Sequence, residues 1–336
     1  MLTKRHFFAT ILAAGLSLTA GFASAEDKLK VVSTTGMIGD AATQVGGDLI
    51  EVQTLMGPGV DPHAYRQTRS DIVAMGNADL VLWHGLYLEA QMEAFMGELA
   101  GQTSVVAVAE TLPRNLLIGH DDYDDKFDPH VWMNPNLWAL VVANVRDALI
   151  VQAPEHEETF RANADAHLQE LQGLAGYASN VLGSVPPESR VLLTAHDAFN
   201  YFGSAYGFEV MGIQGISTES EAGLQRISEL VDMLVERNIR AVFVESSVSD
   251  RNIRALIEGA AAEGHTVEIG GELFSDAMGD AGTYEGTYVG MIDHNTTTIS
   301  RALGGEAPPR GTSEMPNRSS GRPPPPPLPI TSIAPA

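Results

Sequence analysis

The stretch PEHEETFRANADAHLQELQGLAGYASNVL, residues 154–182, contains no β-rich run, although such runs crowd the chain on both sides of it. It opens with a proline and acidic residues, which suit the first turn of a helix, and it stops before Pro186-Pro187, which a helix cannot cross. Phe160, Leu168, Leu171 and Leu174 recur inside it at broadly helical intervals. A flexible connector would instead be rich in Gly, Ser or Pro. At 1.5 Å per residue the stretch predicts a stiff helix of roughly 40 Å, long enough to run along two domains.

Outward from this helix, short β-rich runs alternate with helical patterns. On the N-terminal side they are LKVVST (29–34), EVQTLM (51–56), ADLVLW (78–83) and SVVAVA (104–109). On the C-terminal side they are RVLLTA (190–195), FEVMGI (208–213), RAVFVES (240–246) and HTVEI (265–269). Alternation of this kind predicts parallel sheets flanked by helices. The expected fold is therefore α/β: two lobes, 26–150 and 186–305, each with a mainly parallel four-stranded sheet, joined by a rigid linking helix at 151–185.

The ends read differently. Lys4 and Arg5 precede an apolar run, and Ala23-Ser24-Ala25 follows as a small-residue cleavage site, so residues 1–25 read as a secretory signal peptide. The last 31 residues hold 10 of the chain's 18 prolines and are expected to be a disordered tail, 306–336.

The formal charge is −23, and loss of Lys4 and Arg5 with the signal takes it to −25. Nucleic acid and anionic membrane surfaces are therefore poor partners. The chain has no cysteine. Disulfides, thiolate metal sites and a lipid anchor on an N-terminal cysteine are all excluded on that reading, and a free, monomeric periplasmic protein is expected.

Two histidines sit behind the same rigid dipeptide, His63 in VDPHAY (60–65) and His130 in FDPHVWMNP (127–135). Asp-Pro stiffens the turn, which favours a metal ligand because little freedom is lost on coordination. Either motif alone is also ordinary turn chemistry. Their recurrence in one lobe, each shortly before a helical pattern, points to function. In the second half, His196 directly follows a buried-looking strand and Asp276 lies beyond the last strand, the ends at which open α/β sheets bind ligands. Taken singly, His196 also fits a core imidazole and Asp276 a solvated loop residue.

The segments VDPHAYRQTRSDI, DPHVWMNPNLW, TAHDAFNYFGSAYGF, GISTESEAG, AVFVESSVSDRNI, LFSDAMG and YVGMIDHN, in this order, resemble the manganese/zinc-binding solute-binding proteins of ABC transporters. The similarity runs from about residue 28 to 304. The resemblance implies two lobes closing on one Mn2+ or Zn2+, with His63 and His130 from the first lobe and His196 and Asp276 from the second. It also implies delivery of the ion to a membrane permease. Some relatives carry Glu where His196 stands.

Three imidazoles and one carboxylate suit a borderline divalent cation. With all four positions filled there is little room for a catalytic water, and no H-E-x-x-H pattern is present, so binding is favoured over catalysis. Two rivals remain: a metal-dependent hydrolase using Glu245 or Glu219 as base, and a periplasmic metal buffer without a permease. His84 and Glu245 are candidates to orient a ligand from behind. His156 and His167 are expected to be solvated on the linking helix, and the acidic run GHDDYDDKFD (119–128) to be a solvated loop.

Overall fold

The computed structural model describes residues 28–308 apart from Asp121, Asp122 and Asp124; the expected signal peptide and nearly all of the proline-rich tail lie outside the described residues. In the first lobe β1 (Leu29–Ser33), β2 (Ile50–Thr54), β3 (Leu80–Trp83) and β4 (Ser104–Ala107) form one parallel sheet in the order β2-β1-β3-β4. Val31 is in register with Val52 on one side and Leu80 on the other. The helices α1 (Gly36–Gly46), α2 (Arg69–Gly76), α3 (Glu93–Leu99) and α4 (Pro135–Gln152) complete this lobe. Strands such as LVLW are apolar along their whole length because helices cover both faces.

The linking helix, α5, runs from Glu157 to Gly183, 27 residues, after a single 3-10 turn at Pro154–His156. It packs on α1 and α4 of the first lobe and on α9 (Tyr288–Ala302) of the second. Near its start Asn163 donates to the Val45 carbonyl (2.9 Å), and near its end the Val181 carbonyl accepts from Ser300 (3.3 Å). Phe160, Ala164, Leu171, Leu174 and Ala178 are buried along it, and each large side chain among them contributes about 1.5–3 kcal/mol. His167 belongs to the same buried stripe at 1% exposure and pairs with Glu170 (3.1 Å), so the solvated position expected for it is wrong. His156 is half-buried, its ring edge toward Phe160.

The second lobe holds β5 (Val191–Thr194), α6 (Asn200–Tyr206), β6 (Glu209–Gly212), α7 (Leu224–Glu236), β7 (Ala241–Glu245), α8 (Arg251–Ala262) and β8 (Glu268–Leu273). Its four strands are bonded as two parallel pairs, β5-β6 and β7-β8, rather than as one continuous ladder. β5 and β7 are neighbours, but just past the end of β5 the His196 N–H is bonded to the Glu245 side chain instead of to a β7 carbonyl. β8 also begins later and runs further than HTVEI suggested, through Gly270-Gly271. A Cβ at Gly270 would lie 2.8 Å from the Phe243 ring and from Ala302, so glycine permits a close approach here rather than marking a loop.

A single apolar cluster includes Met37, Trp132, Trp138, Phe160, Leu174, Leu192, Phe199, Phe243 and Tyr288, drawn from both lobes and the helix between them. The lobes thus share a core along α5.

Candidate metal centre

Each of the four singled-out side chains follows a strand. His63 lies between β2 and α2, whose start is fixed by the Thr68–Asp71 capping box. His130 ends the connection from β4 to α4. His196 comes two residues after β5, and Asp276 three after β8. Gly212 allows the His196 turn to sit this close to β6, since a Cβ there would be 2.5 Å from the Asp197 nitrogen. Asn295 of α9 holds the Phe274 backbone on both sides (2.9 and 2.7 Å), and Trp132 donates its indole N–H to the Ser275 carbonyl (2.8 Å), which sets Asp276 opposite His130.

The structure brings all four together. Each offers one donor atom, and these atoms lie within 4.8 Å of one another, fully buried. His130 Nε2 is 3.2 Å from His63 Nε2 and 3.3 Å from Asp276 Oδ1; His196 Nε2 is 3.2 Å and His63 Nε2 4.0 Å from Asp276 Oδ2. Metal–ligand bonds near 2.0–2.2 Å place tetrahedral donors roughly 3.3–3.6 Å apart, close to most of these separations. Both Asp276 oxygens face the cluster, so a fifth donor is available to an ion of higher coordination number.

Hydrogen bonding is incomplete at the centre. His196 Nε2 and both oxygens of Asp276 are sealed from solvent yet form no hydrogen bond, the imidazoles lying within reach at unsuitable angles. A buried carboxylate in that condition is costly unless a cation compensates it. The outer ring nitrogens are well supplied. His130 Nδ1–H donates to Asp128 (2.7 Å) and His196 Nδ1–H to Glu245 (2.5 Å), an arrangement that turns both Nε2 atoms inward.

Charge follows this geometry. Burial pushes the His63 imidazole down to about 3, against the pull of Asp276. Burial also opposes a proton on His130, but Asp128 and Asp276 outweigh it and push that group up to about 9. At His196 the same contest is won by Asp276 and Glu245, which raise it well above the ordinary histidine value. Asp276 is held well below the usual carboxylate range, its burial outweighed by His196 and His130. Protonated His130 therefore donates to neutral His63.

Glu245 takes the orienting place expected of it. His84 does so indirectly: it is buried, and its Nε2–H donates to the carbonyl of Pro129 (2.7 Å), immediately before His130. Its turn runs through positive φ at Gly85, Leu86 and Tyr87, held by Glu89 and by Glu110. Glu219 is exposed and bonded to Gln91, away from the cluster. Asp128 is the residue that sequence reasoning missed. Assigned to a solvated acidic run, it is fully buried and is the partner of a central imidazole. Its signal was its place two residues before the histidine, the place Asp61 holds before His63 (2.8 Å to the His63 N–H).

Two α/β lobes on a stiff helix, with a buried cluster of three imidazoles and one carboxylate in their cleft, define a two-lobed solute-binding protein. The chain belongs to the family described as ZnuA, zinc-uptake complex component A periplasmic, whose model matches residues 31–302. It is 47% identical over 296 residues to the manganese-binding lipoprotein MntA of Bacillus subtilis, covering 88% of this chain and 96% of that protein. It is 45% identical over 306 residues to the zinc-binding protein TroA of Treponema pallidum, covering 89% and 99%. The solved periplasmic zinc binding protein TroA from Treponema pallidum superposes with a TM-score of 0.80 at 47% identity, over 82% of this chain and 99% of that chain.

Proposed function

We propose that this protein captures one divalent transition-metal ion, Mn2+ or Zn2+, outside the cytoplasm and delivers it to the membrane permease of an ABC transporter. His63, His130, His196 and Asp276 are the ligands. The observation that carries this reading is the sealed Asp276 carboxylate, which lacks hydrogen bonds among three converging imidazoles. The names of the two relatives, one manganese-binding and one zinc-binding, support the same pair of ions. The lobes span 26–150 and 186–305, on either side of a linker at 151–185. The protein acts as a monomer without nucleic acid and is not an enzyme. The relative from Bacillus subtilis is named a lipoprotein, whereas these 336 residues hold no cysteine.

The hydrolase alternative is disfavoured by the use already made of its candidate bases. The carboxylate of Glu245 is occupied by the N–H groups of His196, at 2.8 Å from the backbone and 2.5 Å from the ring. Glu219 is on the surface.

Titration of metal-stripped protein with Mn2+ and with Zn2+ is expected to show one ion per chain and a rise in Tm. A free ion concentration of 1,000 Kd adds about 4 kcal/mol. A calorimetric blank with both ions ends this reading.

Glu245→Gln keeps the side-chain shape but removes the carboxylate that holds the Nδ1–H of His196, turns Nε2 inward and raises its basicity as a ligand. Affinity is expected to fall by about 10- to 100-fold, read by competition with a chelator. Unchanged affinity would mean that the short bond to His196 does not support binding.

A further inference from the structure

The two Asp-Pro-His turns share a feature that turn formation does not require. In each, one carboxylate oxygen serves the histidine and the other is bonded to the opposite lobe. Asp61 Oδ1 accepts the His63 N–H (2.8 Å), while its Oδ2 accepts the hydroxyl of Thr218 (2.6 Å), from the loop that follows β6. Asp128 Oδ1 accepts the backbone and ring N–H groups of His130 (2.9 and 2.7 Å), while its Oδ2 accepts from the Asn200 side chain (3.1 Å) at the start of α6. The Asp128 carbonyl also accepts from the Tyr201 hydroxyl (2.9 Å).

We propose that Asp61 and Asp128 are positioning residues that couple the placement of the first-lobe imidazoles to docking of the second lobe, with Thr218 and Asn200 as the groups that report closure. This rests on the metal-capture reading above. A carboxylate gripped at one oxygen can still swing about its own side-chain bonds, and the turn it caps swings with it. Gripped at both oxygens it is fixed in plane, and so is the histidine two residues on. The first-lobe half of the site is then rigid only in the closed form, and opening loosens both imidazoles together.

The surroundings fit that use. Thr218 is carried by a braced arm: the Gln214 side chain donates to the carbonyls of Thr218 (3.3 Å) and Ser220 (3.1 Å), and Glu219 beside it bonds to Gln91 of the first lobe. Thr218 itself is only partly buried. Its bond to Asp61 can break without exposing the apolar core that the lobes share along α5.

The test uses the full chain loaded with Zn2+ and a chelator added by stopped flow. Thr218→Val keeps the shape and removes the hydroxyl; release of Zn2+ is expected to be about tenfold faster, with the association rate unchanged. Thr218→Ser retains a hydroxyl and is expected to release at the wild-type rate. Asp61→Asn combined with Thr218→Val should release no faster than Asp61→Asn alone, because Thr218 acts through Asp61. Wild-type release from Thr218→Val, equally fast release from Thr218→Ser, or additive effects in the double variant would each overturn the coupling while leaving metal capture intact. Failure of the wild type to take up Zn2+ or Mn2+ at all overturns both.

Discussion

Asp276→Asn is expected to lower metal affinity by about 10²–10⁴-fold while leaving the fold intact. The side chain keeps its size and one of its two oxygens but loses the one carboxylate among the described residues that joins the cluster. A divalent ion would then lie among neutral imidazoles in a site closed to water, and removing one partner from a buried charge pair costs about 3–5 kcal/mol. In the metal-free protein the same carboxylate is the counter-charge for His130 and His196, at 3.3 and 3.2 Å. Those imidazoles can answer its loss by giving up protons, so the metal-free Tm should fall much less than the affinity. Calorimetry against Zn2+ with a competing chelator reads the first quantity, and thermal unfolding of stripped protein reads the second. Near wild-type affinity in a folded variant would remove Asp276 from the ligand set.

The four side chains that cluster in the cleft and the strands of the first lobe were legible in the chain because both depend on local signals. Strands with continuous apolar runs announce a sheet covered on both faces, and the residue after such a strand lies at the cleft. His196 follows VLLT in this way, and His63 and His130 are marked by the proline before them. The parts that were not legible depend on contacts distant in sequence. Asp128 sits among acidic neighbours of the same composition, and only the approach of Asn200 and Tyr201, more than 70 residues away, takes it out of water. The hydrogen bond from the turn after β5 to the Glu245 side chain at the end of β7 likewise joins residues 49 apart.

His167 is a different case, since a sequence signal existed and was passed over. The buried positions Phe160, Ala164, His167, Leu171, Leu174 and Ala178 alternate steps of four and three, the spacing of one helix face. Counting only large apolar residues substituted Leu168, which is only partly buried, for Ala164 and moved the stripe off the histidine. Alanine matters here because α1, α4 and α9 all pack closely on α5.

Metal affinity is expected to rise steeply with pH, by about tenfold per pH unit for each proton that the ion displaces. Near neutral pH the metal-free centre holds protons on His130, pushed up to about 9, and on His196, while His63, pushed down to about 3, is already neutral. An ion entering must displace the two Nε2 protons. The expected gain between pH 6 and pH 8 is therefore about 10⁴-fold, against about fourfold for each histidine of ordinary value near 6.5. The metal-free fold responds in the opposite sense. A histidine whose folded value is raised stabilises the fold fully below its unfolded value near 6.5, and that contribution is lost as the pH climbs toward 9 for His130. Stripped protein should thus lose thermal stability across this window while the increment added by metal grows. Calorimetry in buffers of different ionisation enthalpy should count about two protons released per ion at pH 7. Fewer than half a proton would mean that the centre waits for its ion with neutral imidazoles, and that the carboxylates around it do not hold the charge assigned to them here.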